Sequence, residues 1–233
     1  MKIIAVIPAR GGSKGIPKKN IYPLLGYPLI YYTINSAKLS EDIFDRVIVS
    51  TDDKQIAEIS KKYGAEVILR PANLSTDTSK TQDVLLHIVE ELKKENYNLD
   101  LIMTLQPTSP LRTSKHIHES IKLFKENPNA DSLVSCLEVP HIYHPNSVME
   151  LSHDGYLESY SRDESLITRR QDKSRVFARN GAAIYITKAS KLHEYIFGGN
   201  LLPYIMTKED SIDIDTLEDL NIAESILLSR LSN

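Results

Sequence analysis

Ile3-Ile4-Ala5-Val6-Ile7-Pro8-Ala9-Arg10-Gly11-Gly12-Ser13-Lys14-Gly15-Ile16-Pro17-Lys18-Lys19-Asn20 is the stretch on which the fold turns. Its first six residues, Ile3–Pro8, are a continuous apolar run, the pattern of a strand buried on both faces. Three glycines follow and free the backbone to take positive φ and approach a ligand closely. Successive backbone N–H groups in such a loop form an anion-binding nest. Arg10, Lys14, Lys18 and Lys19 place four cations within ten residues of an otherwise acidic chain. Arginine grips phosphate oxygens as a fork and lysine acts as a point charge. A buried strand emptying into such a loop opens an α/β sheet, whose ligands sit beyond the carboxyl ends of the strands.

The loop is neither a Walker A sequence nor the Gly-x-Gly-x-x-Gly of dinucleotide folds. It does match Gly-x-Ser-x-Gly, the hydrolase nucleophile elbow, at Gly11, Ser13 and Gly15. In that fold several strands and an oxyanion loop precede the elbow. Ten residues precede Gly11 here, which leaves no room for them.

Outward from this loop, strand and helix patterns alternate. Helical spacing runs over 28–39 (Leu29, Ile30, Thr33, Ile34, Ala37), and Arg46–Ser50 is a β-branched strand. Asp52 or Asp53 caps a helix to about Tyr63, where Gly64 stops it, and Glu66–Leu69 is a short strand. Thr81–Lys94 is amphipathic, Leu101–Leu105 is a strand, Ser114 caps a helix to about Glu126, and Ser132–Val139 is a strand. Residues 140–178, rich in His, Pro, Tyr, Arg and Asp, break the pattern. Gly181–Thr187 and Leu202–Met206 then read as strands. Thr216–Leu228 reads as an amphipathic helix with Leu217, Leu220, Ile222, Ala223, Ile226 and Leu227 apolar. The expectation is one domain over 1–233: α/β, a Rossmann-like three-layer α/β/α sandwich with a mostly parallel sheet, and an irregular arm at 140–178.

Composition excludes other classes. Hydrophobic residues are 41%, charged residues 25% and net charge −3, an ordinary globular balance without the basic excess of a nucleic-acid binder. The single cysteine, Cys136, lies in an apolar run and reads as a buried small hydrophobe. The N-terminal apolar run is too short for a signal peptide, and no run is long enough to span a membrane. A cytoplasmic protein without membrane or nucleic-acid partners is expected.

Two further segments carry candidate chemistry. Leu105-Gln106-Pro107-Thr108-Ser109-Pro110-Leu111-Arg112 ends a strand and turns at the edge where ligands dock, either as a structural turn or as a substrate contact. Ser211-Ile212-Asp213-Ile214-Asp215-Thr216 sets two carboxylates at i and i+2, on one side of an extended segment. They could share Mg²⁺, which favours one or two carboxylates plus substrate phosphates; alternatively Asp215 or Thr216 caps the last helix. The seven histidines show no zinc spacing.

Four blocks together resemble the acylneuraminate cytidylyltransferase family, with its bacterial legionaminic and pseudaminic acid relatives. They are Ala9–Asn20; Val67–Pro71 with Leu74–Thr78; Leu105–Arg112; and Ser211–Asp215. The resemblance implies the nucleotide-diphospho-sugar transferase type of sandwich. It also implies attack by the anomeric hydroxyl of a nine-carbon 2-keto sugar acid on the α-phosphate of CTP, releasing pyrophosphate for surface glycan synthesis. By resemblance, the nucleotide would be held by Arg10, Gly11, Gly12, Ser13, Lys14, Lys19 and Asn20, with Arg10, Lys14 and Lys19 the catalytic cations. Arg70, Ser79 and Thr81 would meet the cytosine, and Asp213 and Asp215 would hold Mg²⁺. Gln106, Arg170, Asn180 and Tyr185 would meet the sugar. A homodimer is implied, with 140–178 as the arm reaching the partner. The run Arg169-Arg170-Gln171 and the extra alanine in Asn180-Gly181-Ala182-Ala183-Ile184-Tyr185 depart from the commonest sialate form and look closer to the legionaminic and pseudaminic members.

Overall fold

The structure, a computed structural model, describes residues 1–13, 15–161, 174–181 and 183–232. The main sheet is built from β1 (Ile3–Pro8), β4 (Arg46–Thr51), β5 (Glu66–Leu69), β6 (Leu101–Thr104), β7 (Ser132–Glu138), β10 (Phe177–Arg179), β11 (Tyr185–Lys188) and β12 (Leu201–Ile205). Two hairpins stand apart: β2 (Pro23–Leu24) with β3 (Tyr27–Pro28), and β8 (Met149–Leu151) with β9 (Leu157–Ser159). The helices are α1 (Leu29–Lys38), α2 (Lys54–Lys62), α3 (Thr81–Lys94), α4 (Ser114–Glu126) and α5 (Leu217–Leu231).

β1 is central, parallel to β4 and to β6, and β4 is parallel to β5. β11 lies antiparallel between β6 and β7, and β12 runs parallel to β7. The sheet is thus mostly parallel but mixed. Both faces of β1 are buried, which is why its sequence is apolar without alternation. Ile3, Ala5 and Ile7 join α1, α2 and α4 in one core, through residues such as Ile34, Ile56 and Ile121. Ile4 and Val6 meet α3 through Leu85, Ile88 and Leu92. Those three side chains are 0% exposed, each stabilising by roughly 1.5–3 kcal/mol. These are the three expected layers. Cys136 is buried, as read.

Some local expectations change. Asp53 caps α2, its carboxylate accepting from the Ile56 amide, but α4 is capped by Thr113 rather than Ser114. In α5, Leu220 and Ala223 are buried while Leu217 and Ile222 face out, so its apolar stripe is narrower than its sequence suggests. α5 packs on a smaller cluster with Ile16, Leu24, Leu111 and Ile214.

The largest difference lies at 177–188. Both β10 and β11 pair antiparallel with β7 on the edge opposite β12, Arg179 facing Cys136 and Tyr185 facing Val134. Main-sheet pairing therefore begins at Phe177, inside the expected arm, and β11 begins four residues later than the Gly181 start read from sequence. β10 ends at Arg179 and β11 begins at Tyr185, and the chain on both sides of this gap meets one residue, Ser135. Its amide donates to the Ile184 carbonyl, and its hydroxyl donates to Asn180 Oδ1 (2.6 Å) and accepts from the Ile184 amide (2.8 Å). The detour brings Gly181 against Asp213. The rest of the 140–178 segment is not wholly irregular, since it holds the β8–β9 hairpin.

Candidate functional site

The carboxyl ends of β1, β5 and β6 open onto two adjoining cavities that share Pro8, Arg10 and Gln106 as a common wall. One, of about 220 Å³, is lined also by Arg70, Thr76, Asp77, Ser79, Thr81 and Val84. The other, of about 290 Å³, is lined by Gly12, Ser13, Gly15, Lys19, Asn20, Pro107, Thr108 and Asp215. Four stretches far apart in sequence, 8–20, 70–84, 106–108 and Asp215, thus meet at one edge of the sheet.

The loop after β1 is fixed from several sides. The Gly11 amide donates to Asp52, and the Asn20 side-chain amide donates to the Arg10 carbonyl. Gly11, Gly12 and Gly15 do not take positive φ as expected; Lys18 is the left-handed residue there, at φ 53°. Two of the glycines answer a different need, which is space. A Cβ on Gly11 would lie 2.9 Å from the Asp53 side chain, and one on Gly15 would run into the Asp215 carbonyl oxygen. Lys14 lies outside the described residues.

Lys19 donates from Nζ to the Ile214 carbonyl (2.7 Å) and to Asp215 (2.9 Å), tying the first loop to the 211–216 segment. Asp213 is half-buried, and its Oδ1 is buried without a hydrogen-bond partner. Burial pushes its carboxyl up to about 6, with Asp215 and Asp219 adding to the rise and the Thr108 hydroxyl and Lys19 opposing it. An uncompensated carboxylate beside a second one suits a hard cation that takes few protein oxygens. Among the described residues no cluster of three or more metal-ligating side chains forms. Thr216 does cap α5, with Asp219 completing a capping box, and this leaves the Asp215 carboxylate to Lys19. The capping alternative thus holds for Thr216 and not for Asp215.

The remaining candidates divide. Arg10 Nη1 is 2.6 Å from Asp77, across the wall between the cavities. Arg70 is 8% exposed, and its guanidinium donates to the Ser50 carbonyl and hydroxyl and to the Leu74 carbonyl. Burial pulls its pKa down. Its side chain thus props the cavity that it lines. Ser79 sits in a tight turn, bonded to Thr76 and Asn73, and Thr81 opens α3. Asn180 is 4% exposed, and its amide donates to Ser211 Oγ and Met206 Sδ, so it shapes the wall rather than facing the cavity. Tyr185 is buried against Phe197, over whose ring the Arg179 guanidinium lies at 4.4 Å. Arg170 lies outside the described residues. Sequence reading missed Arg179 and Phe197; the Arg-Asn-Gly run at 179–181 was the signal for the first, and nothing local marked the second. Among the described residues lining the two cavities there is no histidine to act as a base toward Ser13.

The detour carries one prediction. Gly181 has φ +67°, and a Cβ there would overlap the Asp213 carboxylate. The left-handed conformation alone costs a non-glycine residue about 1–2 kcal/mol. Gly181→Ala is expected to lower unfolding stability by about 2 kcal/mol or more in urea titration, and to reduce turnover because Asp213 must move.

Comparison with known proteins bears on this geometry. The sequence profile of a family described as cytidylyltransferase matches residues 4–225. The chain is 37% identical over 227 residues to N-acylneuraminate cytidylyltransferase of Escherichia coli O18:K1:H7, covering 97% of this chain and 52% of that protein. It is thus about half the length of that relative. It is 33% identical to pseudaminic acid cytidylyltransferase of Campylobacter jejuni, covering 96% of this chain and 95% of that one. In fold it is similar to a solved CMP:2-keto-3-deoxy-manno-octonic acid synthetase complexed with CTP, with TM-score 0.73, 18% identity, and 99% and 100% of the two chains covered.

Proposed function

The chain belongs to the cytidylyltransferase family, and from that premise we propose that it transfers the cytidylyl group of CTP to a nine-carbon 2-keto sugar acid. The observation that carries this reading is the pair of cavities joined at Arg10 and Gln106. The smaller, with Arg70, Ser79 and Thr81 on its wall, takes the cytosine. The larger, with Gly12, Ser13 and Lys19, takes the triphosphate, and Lys14 belongs with it by its place in the loop. Gln106 faces both and meets the acceptor near the α-phosphate, with Tyr185 and Arg170 completing the sugar side. Asn180 serves that side from behind.

In the reaction the anomeric oxygen forms a bond to the α-phosphorus, the bond to pyrophosphate breaks, and the hydroxyl proton ends on solvent. Charge moves toward the leaving pyrophosphate, so fixed cations there lower the barrier. Lys19 and Arg10 supply them. Asp213 and Asp215 would hold Mg²⁺, and the unpartnered Asp213 oxygen supports that assignment. When bound, the ion draws charge from phosphate oxygens. Ser13 acts as a phosphate ligand. The acceptor is a sialic, legionaminic or pseudaminic type acid, and the product feeds a surface glycan.

The homodimer and the cytoplasm belong to the same reading. The β8–β9 hairpin exposes Met149, Leu151, Tyr156 and Leu157, an apolar surface of the kind that a second copy covers. Sedimentation velocity against the 26.3 kDa monomer mass tests it. No helix among the described residues is long and apolar enough to cross a membrane.

The test is pyrophosphate release. It should require CTP, Mg²⁺ and one acid from a panel of N-acetylneuraminic, legionaminic and pseudaminic acids, all three reactants together. Absence of release with every acid, or a larger thermal shift with GTP than with CTP, defeats the proposal.

A further inference from the structure

Arg112 is the largest fully buried side chain among the described residues, 2% exposed, and it lies just behind the wall that the two cavities share. A buried guanidinium is ordinarily matched by a carboxylate, because an unpaired charge in the interior is costly. Among the described residues no carboxylate comes within ion-pairing distance of it. Its partners are two backbone carbonyls instead. Nη1 donates to Gln106 (3.1 Å) and to Ala183 (2.8 Å), while Nε and Nη2 are buried without a partner.

Those two carbonyls belong to different walls. Gln106 is the residue common to both cavities, at the end of β6. Ala183 closes the 180–184 detour that presses Gly181 on Asp213 and carries Asn180. One nitrogen atom therefore spans the acceptor-side residue and the loop that braces the carboxylate pair. The charge is also felt outward: it helps to lower the pKa of His116 on α4. Burial pulls the guanidinium itself down, to about 9, which leaves it a cation at neutral pH.

We propose that Arg112 is a positioning residue for the acceptor sugar acid: by bridging the Gln106 and Ala183 carbonyls it fixes the spacing between the Gln106 wall and the 180–184 detour. The cationic charge is what makes one donor strong enough to hold two loops, since hydrogen bonds from a charged donor are about twice as strong as neutral ones. A neutral side chain of equal volume would fill the space and leave the loops free to drift.

This rests on the reaction proposed above, and the experiment separates the two. Arg112→Met and Arg112→Lys are compared with the wild-type chain in pyrophosphate release, varying CTP and acid separately. Amide hydrogen exchange is followed on the same proteins without substrates. In Arg112→Met, KM for the acid should rise about 10-fold or more while KM for CTP moves less than about 3-fold, with Arg112→Lys in between. Exchange at residues 180–187 and 105–111 should quicken together by about 10-fold, with β1 unchanged. Equal loss on both substrates, or unchanged exchange at the two loops, overturns the inference. If Arg112→Met does not fold, the acid-against-CTP split in Arg112→Lys decides by itself. Wild-type protein that releases no pyrophosphate with any acid defeats the reaction, while the exchange result still judges the bridge.

Discussion

Lys19→Ala is expected to lower kcat/KM by about 10²–10³-fold, the usual cost of removing one group aimed at developing charge. The side chain is 15% exposed and already oriented, with Nζ 2.7 Å from the Ile214 carbonyl and 2.9 Å from Asp215. Held in this way, it needs little reorganisation when charge builds on the leaving group. Its loss acts twice. The triphosphate loses a fixed cation, and Asp213 and Asp215 lose the charge that offsets them. The fold should hold, because Lys19 sits in a short 3-10 turn secured by the backbone bonds Ile21 N to Lys18 O and Tyr22 N to Lys19 O. Steady-state kinetics beside a melting curve separates the two effects. Near-normal turnover in a folded variant would remove Lys19 from the phosphate site.

The second large effect is at Asp213. Asp213→Asn should cost about 10²-fold or more in turnover and flatten the Mg²⁺ titration, because an amide is a poor ligand for a hard cation. Stability should move in the opposite sense. Burial raises the carboxyl pKa to about 6 in the fold, above the ordinary aspartate value of about 3.9. The folded state binds the proton more tightly, so this group's favourable contribution is complete below about pH 4 and is lost as pH rises through about 6. Near pH 8 the native protein carries a buried, under-compensated carboxylate, and asparagine relieves it by an amount on the order of 2 kcal/mol. Metal-free Asp213→Asn should therefore melt higher than the wild-type chain near pH 8 and converge with it near pH 4. A variant that melts lower at both ends of that range would show that Asp213 holds the fold rather than the cation.

The difference between what could be read from sequence and what could not is physical. β1, β4 and α3 were legible because each buries a stripe or both faces, and burial writes periodicity into sequence. The glycine-rich loop after β1 was legible because glycine and cation density is local. The 180–184 detour was not, because Ala183, Ile184 and Tyr185 are apolar and read as continuous strand with what precedes them. What interrupts the strand is Ser135, forty-five residues earlier. Arg112 was noticed at the ligand edge, yet its burial and its bridge to Ala183 are long-range facts that composition does not carry. Arg70 lines the smaller cavity while its hydrogen bonds tie it to protein, and Asn180 lines neither cavity; polarity in a sequence does not tell such cases apart.

The tie between Lys19 and Asp215 spans 196 residues of chain. Such a contact is among the most expensive in loop-closure entropy, and few local contacts foreshadow it. This part of the site is therefore a clasp between the loop after β1 and the segment before α5. A refolding chain can regain its helices and central strands before that clasp shuts. Recovered activity should accordingly trail recovered far-ultraviolet signal, which makes turnover a timer for the last step of assembly.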